Sequence, residues 1–458
     1  MTHHITRRRL LAATAASTLL AACATKPSDA TTYPPIVFVH GNGDTAALWT
    51  TTLWRFESNG WPRERLQAID IPYPLSRDDD TKPQDGRSST ADNLQYLSAE
   101  VDKVLAATGA KQVVLIANSR GGNAVRNYIA NGGGAAKVAS AILCGTPNHG
   151  VFADPKNRLN GEFNGAGPFL MGLNAPKGPN GDDVTPGVRW MTIRSDNNDK
   201  YAQPDGVWIG AKGTPTNVTF AGPALKGAQD VVIPGIDHRE TAYSAKAFEA
   251  MYTFITGKAP ATMGITPESR VVLDGKVSGN FGPLGAVPTN LPLPGATVEV
   301  FATNPTTGER QGAALLRKTI AADGMWGPFN ADPQATYEFV ITAPGHATTH
   351  IYRSPFARSS NIVHLRAERL ADADKTAASV ITLSRPRGYF GVPRDRVSLD
   401  GVSPPAGIPP GVAGVASAKV KLADGVGRAV VGEFNGERVA GRAWPAAGNE
   451  LVVLELMY

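Results

Sequence analysis

A serine with the setting of an enzyme nucleophile follows a continuous apolar run in the segment VVLIANSRGG at positions 113–122. The run is typical of a buried strand, and a helical pattern begins after it. A tight turn between the two elements would expose the Ser119 hydroxyl at the carboxyl edge of a sheet, and the small residues Ala117 and Gly121 would let strand and helix approach closely. Activated by a base, such a hydroxyl attacks ester carbonyls, so the segment predicts serine-based acyl transfer.

The surrounding sequence supplies the elements that would position this serine. Strand-like runs occupy 36–39, 66–71, 113–117, 139–144, 189–193 and 231–233, and helical patterns occupy 94–105, 121–130 and 244–255. Alternation of this kind predicts βαβ units, and therefore a mostly parallel sheet flanked by helices over residues 34–257.

Three segments of this region together resemble the α/β-hydrolase superfamily, in particular bacterial lipases and esterases. They are the turn at Ser119, the segment IVFVHGNG at 36–43, which is similar to the His-Gly oxyanion loop, and the segment LCGTPNHG at 143–150, which is similar to the Gly-Thr-Pro stretch beyond the nucleophile. The resemblance implies an α/β-hydrolase catalytic domain over 34–257. Most members have Gly and His before the serine, where this chain has Ala117 and Asn118.

The catalytic base is sought among eight histidines. His3 and His4 lie at the N-terminus and three others lie in the C-terminal half, which leaves His40, His149 and His238. His238 follows the strand-like run 231–233 and precedes the last helix of the domain, where the resemblance places the general base. We expect a structural hydrogen-bonding role for His40 and a place in the cleft wall for His149.

The acid that orients the base should lie between Ser119 and His238, because the family order is serine, acid, histidine. The resemblance places it after the strand-like run 189–193. Asp199 is preferred over Asp196 because apolar residues and a proline follow it, and Asp205 and Asp230 are lesser alternatives.

The resemblance also implies an oxyanion hole formed by the backbone N–H groups of Asn42 and Arg120. For the Arg120 side chain we favour a structural ion pair over a contact with a substrate carboxylate.

An insertion at 151–187 separates two strand-like runs and carries several apolar residues among many Gly, Asn and Pro. Long loops in compact domains are often functional, so the insertion is interpreted as a small cap, with an ordinary packed excursion as the alternative. The predicted substrate-binding residues are Phe169, Leu170 and Met171 in the cap and Trp49 after the oxyanion loop.

Beyond a linker at 258–268, helical periodicity nearly vanishes and strand-like runs such as 297–301 and 337–341 alternate with Asp-Gly and Asn-Gly turns. This pattern predicts a β-sandwich-like module over 269–368 and a second β module or lobe over 369–458. The turn Asn435-Gly436 predicts a hairpin. A hydrolase followed by an all-β domain resembles two-domain prokaryotic lipases.

The N-terminus has the features of an export signal over residues 1–22. Arginines at 7–9 precede an apolar run at 10–22 that is too short to span a bilayer of roughly 30 Å, and the pair Arg7-Arg8 resembles a twin-arginine signal. The segment LAAC at 20–23 resembles a lipobox, which implies a lipid on Cys23; an ordinary cleavage after Ala22 is the alternative. Residues 23–33 form a tether. We expect an exported periplasmic or outer-membrane or cell-surface lipoprotein, or alternatively a secreted protein.

Composition excludes several other classes. The formal net charge of +5 falls to +2 once residues 1–22 are removed, and no dense Lys/Arg stripe lies beyond them, so no nucleic-acid partner is expected. Two cysteines form no disulfide framework, and no cofactor or metal is expected.

The sequence therefore predicts a carboxylic-ester hydrolase, a lipase or esterase, that acts on lipids or acyl esters through an acyl-enzyme. A polyester depolymerase of the polyhydroxyalkanoate type is the alternative with the same chemistry. A non-catalytic surface lipoprotein is a weaker hypothesis, because Ser119, His238 and the acid candidates are all present.

Overall fold

The computed structural model describes residues 32–281 and 287–458. The predicted export signal, the lipobox with Cys23 and most of the predicted tether lie outside the described residues. Within those two ranges, no helix combines the length and the apolar character that crossing a bilayer requires.

The first domain is built on a six-stranded sheet with the order β2-β1-β3-β4-β5-β6, and all of its strand pairs are parallel. The strands are β1 (Ile36–Val39), β2 (Leu66–Ile69), β3 (Val113–Asn118), β4 (Val138–Cys144), β5 (Arg189–Arg194) and β6 (Gln229–Val232). The predicted parallel sheet is confirmed. β1 and β3 are completely buried, as expected for strands covered on both faces.

Among the described residues, six α-helices accompany this sheet: α1 (Thr50–Ser58), α2 (Thr90–Thr108), α3 (Arg120–Asn131), α4 (Pro168–Leu173), α5 (Glu240–Tyr243) and α6 (Ala245–Thr256). α1 and α6 pack on one face, where the rings of Phe56 and Phe248 lie 5.1 Å apart, and α2 and α3 pack on the other. α2 begins with a capping box between Ser89 and Asp92 and ends at Gly109, which has a φ of 66°. These local signals fix the length of the longest helix.

The remaining strands form the predicted all-β region. They are β7 (Val271–Leu273), β8 (Val277–Phe281), β9 (Val287–Pro292), β10 (Thr297–Thr303), β11 (Leu316–Thr319), β12 (Phe329–Ala331), β13 (Thr336–Thr342), β14 (Thr348–Arg353), β15 (Leu365–Arg366), β16 (Ser379–Ser384), β17 (Val397–Leu399), β18 (Ser417–Leu422), β19 (Ala429–Phe434), β20 (Glu437–Arg442) and β21 (Glu450–Glu455). The predicted hairpin is confirmed: β19 and β20 pair around Asn435 and Gly436, which both have positive φ, as a type I′ turn requires.

The predicted boundary between residues 368 and 369 separates two hydrophobic cores but not two sheets. One seven-stranded sheet has the order β11-β10-β13-β14-β21-β16-β18, and β21, which comes last in the sequence, lies between β14 and β16. The first lobe (residues 269–368) packs its core around Trp326 and Phe339, and the second lobe (residues 369–458) around Leu383 and Phe390. A pairing between strands so distant in the chain leaves no local sequence signal.

The first lobe contacts the hydrolase domain through α1. The indole Nε1 of Trp54 donates to the carbonyl of Ser359 at 2.9 Å, and Arg358 forms an ion pair with Glu57 at 2.9 Å. The first lobe is therefore attached to the hydrolase domain by a hydrogen bond and an ion pair.

Candidate active site

Ser119 lies in a sharp turn between β3 and α3, with a φ of 53° and a ψ of −123°. This left-handed backbone conformation is strained for a residue with a side chain, and such strain is stored where the surrounding structure enforces it. Gly121 makes the turn possible, because a Cβ atom there would lie 2.6 Å from the carbonyl oxygen of Val39 and 2.7 Å from that of His40. Ser119 therefore lies in a sharp strand-to-helix turn, as the sequence predicts, and although only 8% exposed it lines a cleft.

His238 and Asp199 form a buried pair. Nδ1 of His238 lies 2.9 Å from each carboxylate oxygen of Asp199, and the two residues are 2% and 6% exposed. The other ring nitrogen of His238, Nε2, is buried and has no hydrogen-bond partner among the described residues. His238 and Ser119 line the same cleft, so the free nitrogen and the serine hydroxyl belong to one site.

The other three acid candidates have different partners. Asp196 accepts hydrogen bonds from the backbone N–H groups of Asn198 and Gly235, each at 3.1 Å. Asp230 forms an ion pair with Arg194 at 2.8 Å, and Asp205 caps the turn at Val207 at 3.1 Å. Of the four aspartates, the structure brings only Asp199 to His238.

The backbone of His238 is fixed by residues that sequence reasoning did not assign to the site. Its carbonyl oxygen accepts hydrogen bonds from Asn118 Nδ2 at 3.3 Å and from Thr241 Oγ1 at 2.7 Å, and its ring meets that of Tyr201 edge-on at 4.7 Å. The unusual asparagine before the nucleophile therefore links β3 to the histidine loop. The signal that could have found this role is the polar residue Asn118 at the end of the otherwise apolar run before Ser119.

The predicted oxyanion residues flank the serine. Arg120 is the first residue of α3, and a backbone N–H at that position has no acceptor within the helix. The side chain of Asn42 accepts a hydrogen bond from the Ser76 N–H at 2.8 Å, which holds the loop after β1, and Asn42 lines the cleft beside Ser119.

The Arg120 side chain makes a structural contact and does not line the cleft. Its Nε lies 2.7 Å from Glu162, and its other nitrogens donate to the carbonyl of Ser88 at 2.7 Å and to that of Pro74 at 3.0 Å. The structural ion pair that the sequence favoured is present, and its partner lies in the insertion.

The cleft at Ser119 has a volume of about 270 Å³ and a mixed lining. The insertion contributes Val151, Phe152 and Phe163, the segment after Asp199 contributes Trp208 and Ile209, and charged side chains are contributed by Asp78, Arg87 and Arg158. The insertion at 151–187 therefore lines the cleft, but through residues other than those predicted.

The four predicted substrate-binding residues do not line this cleft. Trp49 is completely buried against Phe38, with ring centroids 5.2 Å apart, and belongs to the sheet core. Leu170 is buried and Met171 is 60% exposed on α4, while Phe169 is half-buried on the same helix. α4 is held against α3 instead, because Arg126 donates to the carbonyl of Leu173 at 3.0 Å.

A larger cavity of about 480 Å³ lies next to the cleft and shares Pro147 and Tyr201 with it. His149, predicted to line the cleft, lines this cavity, with Nε2 3.7 Å from Asp183. His40 has the structural role predicted for it: burial lowers its pKa, and its Nε2 accepts a hydrogen bond from the Ile71 N–H at 3.0 Å.

A parallel sheet of this order, with a strained serine after its third strand and a histidine–aspartate pair beside it, defines an α/β-hydrolase. Residues 33–154 match the family described as lipase (class 2), and residues 269–370 match the family described as lipase C-terminal domain. The fold is therefore that of an α/β-hydrolase followed by a C-terminal β domain, and each of these two parts contains a stretch that matches a lipase family model.

Several solved structures are similar to this chain. The propeptide form of a Bacillus licheniformis lipase is 15% identical, with 92% of this chain and 94% of that chain covered and a TM-score of 0.36. The mature form of the same lipase is 19% identical, with 51% of this chain and 95% of that chain covered and a TM-score of 0.36. A phospholipase from Legionella pneumophila is 12% identical, with 74% and 94% covered and a TM-score of 0.31.

Proposed function

We propose that this protein hydrolyses carboxylic esters of lipids or related acyl compounds through a Ser119–His238–Asp199 triad. One observation carries the proposal: Asp199 lies 2.9 Å from Nδ1 of His238, while Nε2 is left without a partner in the cleft that holds Ser119. The family matches support the same class of reaction.

In this proposal each group has its own step. The Asp199 carboxylate accepts a hydrogen bond from Nδ1–H, which directs the lone pair of Nε2 toward the serine. Nε2 takes the hydroxyl proton as the Ser119 oxygen attacks the ester carbonyl, and it then passes that proton to the departing alkoxide. Water, deprotonated by the same nitrogen, releases the acid from the acyl-enzyme.

The negative charge that forms on the carbonyl oxygen would be stabilised by the backbone N–H groups of Asn42 and Arg120. The N-terminus of α3 adds a favourable partial charge at the same place. The acyl group would lie against the apolar part of the lining, formed by Val151, Phe152 and Phe163.

A fluorophosphonate probe tests the proposal. We expect labelling of the wild-type protein and of Ser98→Ala, a matched serine change on α2, and no labelling of Ser119→Ala. An unlabelled wild-type protein, or equal labelling of Ser119→Ala, would show the proposal to be wrong. A series of p-nitrophenyl esters and emulsified triglyceride then separates esterase from lipase activity.

We also propose that the protein is exported and attached to a membrane by a lipid on Cys23. The support is the sequence of residues 6–23, with its arginines, short apolar run and LAAC motif. We expect labelled palmitate to be incorporated by the wild-type chain and by Cys144→Ser but not by Cys23→Ser. Incorporation by Cys23→Ser would contradict the proposed attachment site.

A further inference from the structure

One residue of the second lobe reaches the cleft that holds Ser119 and His238. Tyr389 is 6% exposed and, of the described residues that line the cleft, it alone lies beyond the hydrolase domain. The second lobe therefore contributes one residue to the wall of the cleft that holds Ser119 and His238.

The same part of the lobe binds the residue before the catalytic histidine. Asp237 is completely buried, and its Oδ1 accepts hydrogen bonds from the N–H groups of Arg239 and Glu240 at 2.8 and 2.9 Å. Its Oδ2 accepts from Arg385 Nη1 at 2.7 Å and from the N–H of Tyr389 at 2.9 Å. One oxygen therefore caps the start of α5, and the other binds the second lobe.

A second carboxylate of the histidine loop is held in the same way. Glu240 contacts Arg385 at 2.7 Å through Oε1 and Arg394 at 2.8 Å through Oε2. The two arginines thus bind acidic residues on both sides of His238, one position before it and two positions after it.

The hydrolase domain supplies no equivalent charge in the described part of the chain. In the described residues, every ion pair of Asp237 and Glu240 is with Arg385 or Arg394. The neighbouring guanidinium of Arg239 is paired with Asp44 instead. A buried carboxylate without a cationic partner is strongly unfavourable. Loss of the arginines would therefore drive residues 237–240 toward solvent.

The contacts with the two arginines also affect the pKa values of Asp237 and Glu240. Burial by itself raises the pKa of Asp237, but Arg385 and Arg394 outweigh it, so the pKa is lowered. Burial and the adjacent Asp237 raise the pKa of Glu240 against the opposing effect of the two arginines. The two arginines favour the charged form of both carboxylates, and they outweigh burial at Asp237 but not at Glu240.

We propose that Arg385 and Arg394 are positioning residues for His238, which makes the second lobe part of the catalytic site and not a separate binding module. The inference rests on the proposed function, since it concerns the placement of its general base. Neither arginine lines the cleft at Ser119. Both hold the segment that carries Nε2 against the Ser119 elbow.

Arg394→Ala provides the test, because its side chain is 19% exposed and lies outside the hydrophobic core of the lobe, although it also gives up an ion pair with Asp395 at 2.7 Å. We expect kcat for a p-nitrophenyl ester to fall by about tenfold to a hundredfold, as for a small misplacement of a catalytic group, with KM within about threefold of wild type. The rate of fluorophosphonate labelling at Ser119 should fall by the same factor. Arg394→Lys should restore part of kcat.

Arg428→Ala is the matched control. Arg428 lies in the same lobe and makes a bidentate ion pair with Asp400 at 2.6 and 2.7 Å, away from the histidine loop, so its loss should leave kcat unchanged. Arg385→Lys tests the same contacts a second time. If Arg385→Lys does not fold, the kinetics of Arg394→Ala alone test the inference.

An unchanged kcat in Arg394→Ala, with a loss of thermal stability no different from that of Arg428→Ala, would overturn the inference. A wild-type protein that neither hydrolyses the ester nor reacts with the probe would instead contradict the proposed function. The two failures are thus distinguished in one set of assays.

Discussion

Arg120 and Glu162 form an ion pair that is buried at both ends, with Nε and Oε2 2.7 Å apart and the two side chains 1% and 2% exposed. Arg120 directly follows Ser119, and Glu162 lies in the insertion at 151–187. The pair therefore fixes the insertion to the start of α3, and it does so beneath the cleft that Phe152 and Phe163 line.

Glu162→Ala should destabilise the protein strongly, because it leaves the guanidinium of Arg120 buried without its charge partner. We expect the free energy of unfolding to fall by about 3–5 kcal/mol, the range for breaking a buried pair. Urea unfolding of the purified variant measures this. Glu100→Ala, which removes a pair with Lys103, a lysine whose side chain is 70% exposed, should cost less than about 1 kcal/mol. Equal losses in the two variants would contradict the structural importance of the buried pair.

Asp199→Asn should remove most of the activity while leaving the fold intact. An amide at this position no longer selects the tautomer with Nδ1–H, and we expect kcat to fall by about 10⁴-fold, as in other triads. Steady-state kinetics and circular dichroism measure the two properties. Asp196→Asn is the matched control, and its smaller effect should come from the lost bond to the Gly235 N–H. A comparable loss of kcat in Asp196→Asn would show that the acid is misassigned.

The choice between these two aspartates shows where sequence reasoning reaches its limit. The strand pattern and the order of the triad place the acid in the loop after β5, but Asp196 and Asp199 are only three positions apart. Which one meets His238 depends on the turn that Asp196 itself stabilises through the Asn198 N–H. The apolar residues and the proline that follow Asp199 favoured it in the sequence. The contact between Asp199 and His238 itself depends on how the loop folds.

The failed substrate-binding predictions have a different cause. Apolar residues such as Trp49 and Leu170 look alike in the sequence whether they fill a core or line a cleft. The elbow and the parallel sheet were predictable because their signals are local. The contact between Tyr389 and Asp237 spans 152 positions, and no periodicity or motif encodes a contact across that distance.

Gly121→Ala should displace the nucleophile elbow. The added methyl group would lie 2.6 Å from the carbonyl oxygen of Val39, and this backbone cannot move without shifting β1. We expect kcat to fall by about 10²-fold or more, because small displacements of a nucleophile have effects of that size. Gly172→Ala on α4 has no atom within 4 Å of the new Cβ, so it should keep wild-type kcat and raise the melting temperature slightly. Wild-type kcat in Gly121→Ala would show that the elbow tolerates the displacement.

Lys200 should make the stability of the domain contact depend on pH. Its ammonium lies 3.9 Å from the ring centroid of Tyr389 and donates to the carbonyl of Gly414 at 2.8 Å, so it joins the loop after Asp199 to the second lobe. Burial, with a smaller effect from Arg239, lowers the pKa of Lys200 to about 8 from its usual 10.5. Between about pH 8 and pH 10.5, Lys200 is therefore mostly protonated in the unfolded chain and mostly deprotonated in the folded chain.

The sign of the pH effect follows from that difference in bound protons. Where the unfolded state binds more protons, stability rises with pH, so Lys200 should disfavour folding most below about pH 8 and progressively less up to about pH 10.5. We therefore expect Lys200→Met to be most stable relative to wild type at pH 7 and to lose that advantage by pH 10, in thermal unfolding at each pH. Lys212→Met, at an exposed lysine, should differ from wild type by a constant amount because that side chain is in water in both states. A constant difference for Lys200→Met as well would show that Lys200 stays protonated throughout, held by the Tyr389 ring and the Gly414 carbonyl.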